Sequence, residues 1–396
     1  MFQTRGSMIF NEIMEQPQAW EKTIKKFEEQ ITELSGWFAQ ENFKQLLFVG
    51  CGSSYNIGMY SSRAMNYFGF QASQAFPASE LFFYPQVPLV VRENTLAVLI
   101  SRSGETDEMI KAAGMLRQHQ VKILLLCCQN DSTLGRMADK VIVLEEAMDE
   151  GIAAIKSFSG LLLLSLLICG LILNKPEFVA ELKTLPGLFN LKDFQKEIQN
   201  MGMQKYNRVV CLGNGFNEGM AREAALKIIE ISSCAADAHQ AMEYRHGTIG
   251  SIYTQTLVVI FQSDTFKDYE RHLSREIAAY KGARALICEE ADQQTKMATE
   301  YIVELKSGLS EISRGILMLP PLQLFAFHLA MAKGINPDKL RRVAQVVRLK
   351  EPGWREENKT DAAEETESVP PEKSGEMSSV VENPEARASA SPQIEN

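Results

Sequence analysis

The chain has 396 residues, 45% of them hydrophobic, and a formal net charge of -9. That length suffices for two or more cores of ordinary size. Net acidity without any basic cluster argues against nucleic acid or an anionic membrane as the main partner.

The amino end, MFQTRGSMIFNEIMEQPQAW, has no continuous apolar stretch, so no secretory signal is expected. Residues 1–40 are read as a helical lead-in, with Ile9, Ile13, Trp20, Ile24, Phe27, Ile31, Leu34 and Trp37 at helical spacing over 8–40. KQLLFVG, TLAVLIS, VKILLLCC and DKVIVLE then predict four strands separated by helical segments. That order implies a parallel sheet covered on both faces, and residues 41–180 are assigned to this first α/β module. The seven cysteines form no CxxC pair, and Cys127 and Cys128 lie inside an apolar run as buried thiols of a reducing, cytoplasmic compartment. SGLLLLSLLICGLIL, residues 159–173, falls short of the roughly 20 apolar residues of a membrane span and is expected to be a buried helix.

LKTLPGLF is read as a connection, after which RVVCLGNG, QTLVVIFQ and ARALICEE restart the alternation in a second module, residues 190–350. The two restarts match, with Gly50, Gly52, Gly58 and Met59 set against Gly213, Gly215, Gly219 and Met220. The first glycines lie 163 residues apart (213 minus 50), which suggests two copies of one doubly wound module. Residues 351–396 are rich in Glu, Ser and Pro and are expected to be a disordered acidic tail.

Four stretches carry candidate chemistry. In LISRSGETDEMIKAAGMLRQ a buried strand runs through Ser101, Ser103 and Thr106 into a helix, where free backbone N–H groups and the helix dipole favour an anion. The Gly50-x-Gly52 turn adds Ser53 and Ser54, so two strand ends present hydroxyls suited to a phosphate monoester. A dinucleotide fingerprint fits less well, because the third glycine and the following acidic residue are missing. In GMAREAALKIIEISS, Glu223, Lys227 and Glu230 fall at i, i+4 and i+7 on a helix that is apolar nearly all round. A charge stripe on a buried helix must face partners or a cavity, and a carboxylate held there would have a raised pKa suited to proton transfer. In MEYRHGTIG, His246 stands beside Glu243 and Arg245 in a polar loop.

These stretches, with EGIAAIKSFSGLLL and PLQLFAFHLAMAKGINPDKLRRVAQVV, resemble the sugar isomerase (SIS) domain family over about residues 40–350. More narrowly, they are similar to the isomerase half of glutamine–fructose-6-phosphate aminotransferase and to free-standing sugar-phosphate deaminases and fructosamine deglycases. The resemblance implies two tandem flavodoxin-like SIS domains. It implies phosphate contacts from Gly52, Ser53, Ser54, Ser101, Arg102, Ser103 and Thr106. Glu230 matches the family's proton-shuttling carboxylate, Lys227 its lysine near the enediolate, and Glu223 a supporting acid. His246 matches a ring-opening histidine contributed by a neighbouring subunit, so a homodimer is expected.

This chain departs from the pattern at three places. It has Phe2 and no preceding glutaminase sequence, so no glutamine hydrolysis is expected of it. Gln345 stands where the family has a Schiff-base lysine and cannot form an imine. Ala154 replaces a family serine. Together these favour an enzyme that isomerises or deaminates an amino-sugar or fructosamine 6-phosphate, with no metal or organic cofactor. A non-catalytic sugar-phosphate sensor is the alternative.

Overall fold

The computed structural model describes residues 5–70, 72–83, 94–204, 206–339 and 347–349. The expected tail and Gln345 lie outside the described residues. The lead-in is two helices, α1 (Ser7–Met14) and α2 (Gln16–Glu41), where one was expected. The break falls at Glu15, and Pro17 sits in the first turn of α2, where its missing N–H has no helical partner to lose. Ile9, Ile13, Trp20, Phe27, Leu34 and Trp37 are buried as the spacing required.

The first module follows as β1 (Gln45–Gly50), α3 (Ser53–Tyr67), β2 (Ser73–Pro77), α4 (Ala78–Phe83), β3 (Thr95–Ile100), α5 (Asp107–Gln118), β4 (Lys122–Cys127), α6 (Thr133–Met137), β5 (Lys140–Val143) and α7 (Lys156–Ile172). Helices α8 (Pro176–Leu188) and α9 (Gln195–Met203) lead to the second. It comprises β6 (Arg208–Gly213), α10 (Asn217–Ser232), β7 (Ala235–Gln240), β8 (Thr256–Phe261), α11 (Lys267–Ala279), β9 (Ala283–Cys288), α12 (Gln293–Ala298), β10 (Tyr301–Glu304) and α13 (Glu311–Ala332).

Both sheets are parallel, ordered β2-β1-β3-β4-β5 and β10-β9-β8-β6-β7. Each strand order is the other's repeat: the chain steps outward once, returns past its first strand and then runs on. The reversal sets the loops after β1 and β3, and after β6 and β8, side by side at the carboxyl ends, where such sheets leave a crevice. The central strands β1, β3 and β8 are buried along their whole length, as their unbroken aliphatic runs demand.

Three strands have no counterpart among the predicted ones. SQAFP (β2), AADAHQ (β7) and YIVE (β10) lie at sheet edges, and residues 236–240 of β7 are only partly covered. An edge strand needs no continuous apolar run, so hydropathy does not announce it. LKTLPGLF is the second half of α8 and not a connection. Pro186 falls in the last turn, where little helix remains to be disturbed, and Leu182 and Leu185 bury the segment.

The apolar stretch expected to be a buried helix is α7, covered from Ser157 to Gly170, with Trp20 Nε1 of α2 donating to Ser159 Oγ at 2.8 Å. Helix α13 is long and apolar enough to cross a membrane, yet 78% of its most apolar stretch is buried inside the fold. The amino end is tied to the end of the second module. Ile9 N donates to Asp338 Oδ1 at 3.0 Å, Arg5 Nε to Ile335 O at 3.2 Å and Gln16 Nε2 to Gln323 Oε1 at 2.9 Å.

The internal repeat holds at atomic level for its first two glycines. A Cβ on Gly50 would lie 2.6 Å from the Tyr55 nitrogen, and one on Gly213 would lie 2.9 Å from the Glu218 nitrogen. Each strand end thus meets the first turn of the next helix with no room for a side chain. The third match fails, because Gly219 occupies the place of Asn56 and not of Gly58. A Cβ on Gly219 would sit 3.0 Å from Asn56 O and 3.1 Å from Tyr60 N, so this glycine lets α10 cross α3 closely. Gly50→Ala or Gly213→Ala is expected to destabilise the chain by about 1–3 kcal/mol, read as a lower urea midpoint, since backbone atoms must move to admit the methyl group.

Candidate active site

A cleft of about 260 Å³ opens at the carboxyl ends of β1 and β3. The β1–α3 loop turns through Gly52 at φ +54° and places Ser53 and Ser54 in the first turn of α3. The β3–α5 loop contributes Ser101, Arg102, Ser103 and Thr106. Ser101 Oγ accepts from Gly104 N at 3.1 Å and Ser103 Oγ from Glu105 N at 3.2 Å, so these hydroxyls are held in place with their protons free to turn outward. Thr106 is the N-cap of α5, yet its side chain makes no capping bond. All seven residues expected at a phosphate therefore surround one space, at the amino ends of two helices whose dipoles favour an anion there.

Helix α10 also lines the cleft, through Leu226, Lys227 and Glu230. The three charged residues divide into levels. Glu223 is fully buried below the cleft, where its carboxylate accepts from Ser53 Oγ and Asn56 Nδ2, both at 2.9 Å. Lys227, also fully buried, lies 3.4 Å from Glu223 Oε1 and hydrogen-bonds the Glu230 carboxylate. Glu230 stands at the surface of the cleft with its side chain 15% exposed. Burial pushes the Glu223 carboxyl up, against the pull of Lys227 and Asn56. Burial alone would lower Lys227, but the adjacent Glu223 and Glu230 outweigh it and hold the ammonium charged. The helix is less enclosed than its composition suggested, since Ile229 is 44% exposed.

Several residues that sequence reasoning missed complete the site. Cys51, Glu108, Met109, Ile152 and Val347 also line the cleft. Arg102 donates to Ile152 O at 2.9 Å and lies 3.6 Å from Asp149, so its guanidinium braces the loop before α7 as well as facing the cleft. Asp149 accepts from Lys156 N at 2.7 Å and from the Ser157 hydroxyl, which closes the amino end of α7. Beneath that loop Glu12 of α1, only 2% exposed, accepts from Glu150 N at 2.7 Å and Gly151 N at 2.9 Å. Asp149 precedes the helix it caps by several residues and could have been suspected. Glu12 gave no signal, being one polar residue in an ordinary amphipathic pattern.

His246 does not join the cleft within one chain. It is exposed and lines a separate hollow with Arg245, Ile249, Glu276 and Tyr280. Ala154 lines the cleft. Near the carboxyl side of the described residues, Val347 lines the cleft and Arg348 pairs with Asp107 at 2.9 Å. Among the described residues no group of three or more His, Cys, Asp or Glu is placed to hold a metal ion.

Two tandem parallel α/β modules sharing one hydroxyl-lined strand-end cleft, which Lys227 and Glu230 also line, define the class of protein. The SIS domain model matches residues 41–168 and 202–333, and the chain belongs to that family. It is similar to the isomerizing glutamine–fructose-6-phosphate aminotransferase of Caldanaerobacter subterraneus subsp. tengcongensis, with 27% identity over 321 residues, 78% of this chain and 52% of that protein. The chain thus spans about half the length of the curated relatives it matches. In fold it resembles tagatose-6-phosphate ketose/aldose isomerase from Escherichia coli, with a TM-score of 0.73 at 22% identity over 84% of this chain and 95% of that one. It also resembles glucosamine-6-phosphate deaminase from Thermotoga maritima, with a TM-score of 0.66 at 26% identity over 83% of this chain and all (100%) of that one.

Two outcomes are expected from this geometry. Lys227→Met leaves Glu223 buried without its cation and should cost about 3–5 kcal/mol in urea unfolding, part of it recovered when Glu223→Gln is added. Burial and the nearby Asp149 raise the Glu12 carboxyl to about 7. The folded chain then binds that proton more tightly than the unfolded one. This stabilising contribution is complete below the ordinary carboxyl range and is lost as pH rises to about 7. The fall in unfolding free energy between about pH 5 and pH 8 should therefore be smaller in Glu12→Gln than in wild type, by roughly 2 kcal/mol.

Proposed function

We propose that this chain is a sugar-phosphate isomerase-type enzyme acting on an amino-sugar or fructosamine 6-phosphate. One observation supports it above the rest: the hydroxylated loops and the Lys227–Glu230 pair line the same cleft. A phosphate held by the backbone N–H groups and hydroxyls at Ser53, Ser54, Ser101, Ser103 and Thr106 fixes one end of an extended sugar. The reacting carbons then lie toward α10.

Glu230 takes the proton from C2 of the open-chain 2-amino aldose, and Lys227 stabilises the negative charge that develops on the C1 oxygen. Return of that proton to C1, with a proton passing from the amine nitrogen to the C1 oxygen, gives the C2 imine of the ketose. Addition of water at C2 and departure of ammonia leave the ketose phosphate. Without a nitrogen substituent, the same transfer interconverts aldose and ketose. Glu223 does not touch the cleft; it positions Lys227 and, through Ser53 and Asn56, the first turn of α3.

His246 is assigned to ring opening from the partner of a homodimer, because it is exposed and outside its own chain's cleft. Gln345 has no amine for imine formation, which favours substrates that already carry nitrogen. The seven free cysteines, six of them buried, suit a reducing cytoplasm. A non-catalytic sensor would need the phosphate loops but not a buried lysine aimed at a carboxylate.

Pure protein incubated with glucosamine 6-phosphate should release ammonia and form fructose 6-phosphate in equal amounts. Glu230→Gln should reduce turnover at least a thousandfold, in line with loss of a general base and its charge, while sugar-phosphate binding by calorimetry persists. Wild-type-like turnover in that variant would refute the assignment. Mixing inactive Glu230→Gln and His246→Ala chains should restore activity, because a mixed dimer contains one intact site. Unrestored activity in demonstrated mixed dimers would place His246 outside catalysis.

A further inference from the structure

The crossed helices α3 and α10 exchange roles between the modules. The first cleft is walled by Leu226, Lys227 and Glu230 of α10. A second hollow of about 300 Å³ lies at the strand ends of the other module, beside Asn214, Phe216 and Ser263, and is walled by Arg63, Asn66 and Tyr67 of α3. Counted from the matched Gly50 and Gly213, Arg63 stands for Leu226, the buried Ala64 for Lys227 and Tyr67 for Glu230. The second hollow is thus the counterpart of the first without an ammonium or acid at these two helix positions; the Glu311 carboxylate of α13 also lines it, accepting from Asp264 N at 2.9 Å and Asn217 Nδ2 at 3.1 Å.

Its anion end differs too. Thr95 of β3 and Thr256 of β8 hold the same register beside β1 and β6. Fourteen residues beyond each stand Met109 (109 minus 95) and Glu270 (270 minus 256). Met109 is a buried apolar wall of the first cleft. Glu270, equally buried, turns its carboxylate into the loops, where it accepts from Asn214 Nδ2 at 2.7 Å, Ser263 N at 2.9 Å and Ser263 Oγ at 3.2 Å. Gln262, in the place of Ser101, keeps a buried Nε2 that has no partner among the described residues.

We propose that the second module retains an oxyanion site of the phosphate class at its strand ends and that Glu270 fills it from within, so that one cleft of the two takes a phosphate. An internal carboxylate presents oxygens to the same donors a phosphoryl group would use. Because it is tethered, no free anion at ordinary concentration displaces it. The proposal rests on the pairing of the modules and not on the reaction assigned to the first cleft.

Removing the carboxylate should uncover the site. Burial lifts the Glu270 carboxyl to about 7, so the comparison is made near pH 8, where it is ionised in wild type. Inorganic phosphate is titrated calorimetrically at fixed ionic strength into wild type, Glu270→Ala and Glu270→Met, the last supplying the side chain the first module uses. Each folded variant should bind one phosphate more per chain than wild type, and phosphate should raise its melting temperature more. Crystals grown in phosphate should show the added ion against Asn214 and Ser263. The wild-type stoichiometry reports on the first cleft and the difference on the second, so failure of one reading is distinguishable from failure of the other. A variant that folds only with phosphate also supports the proposal. Folded variants with no added phosphate, or variants that phosphate cannot fold, overturn it.

Discussion

A fully buried carboxylate in contact with both modules fixes the geometry on which the cleft depends. Glu223 belongs to α10, yet its two oxygens are bonded by Ser53 and Asn56 of α3 in the other module. Hydrogen bonds to a charged acceptor are the stronger kind, each worth about 1.5–3 kcal/mol, and here they cross from one sheet system to the other. The same carboxylate faces Lys227, which in turn bonds Glu230. Loop, lysine and surface acid are therefore set by one buried group, and sliding α10 along α3 would unpair a charge in the interior. Gly219 makes this possible by bringing the helix backbones close enough for short side chains to reach across.

The sequence disclosed this arrangement unevenly, for reasons that follow burial. Central strands such as β1, β3 and β8 are enclosed on both faces and must be aliphatic throughout, so their residues declare them. The edge strands β2, β7 and β10 are held by backbone pairing with one neighbour and leave little compositional trace. The phosphate loops and the charge stripe were legible because hydroxyls at a strand end and charges on an apolar helix violate the local expectation. Glu12 and Asp149 escaped notice, because their importance lies in which backbone N–H groups they meet, and those partners are distant in sequence or irregular in structure. The location of His246 outside its own chain's cleft is likewise a product of tertiary folding, invisible in its spacing.

The two modules show how one scaffold can be asymmetric without losing its architecture. Strand order, register and the tight glycine at the first strand end are shared. What differs is a few side chains at fixed positions: Met109 against Glu270, Ala64 against Lys227, Tyr67 against Glu230. None of these exchanges touches a central strand, so the clefts vary separately from the sheets that carry them. That separation explains how relatives at 22–27% identity retain the fold.

The bonds from Arg5 and Ile9 to Ile335 and Asp338 also govern the order in which the molecule can be completed. The first module contains all its own strands by Val143 and emerges from the ribosome long before residue 338 exists. Helix α1, which carries Glu12, then lacks its far anchors, and the loop at Glu150 and Gly151 rests on a helix not yet tied down. A nascent chain can thus own a finished sheet and an unfinished cleft. The cleft has its full set of walls and supports only once the last turns of the second module have been made.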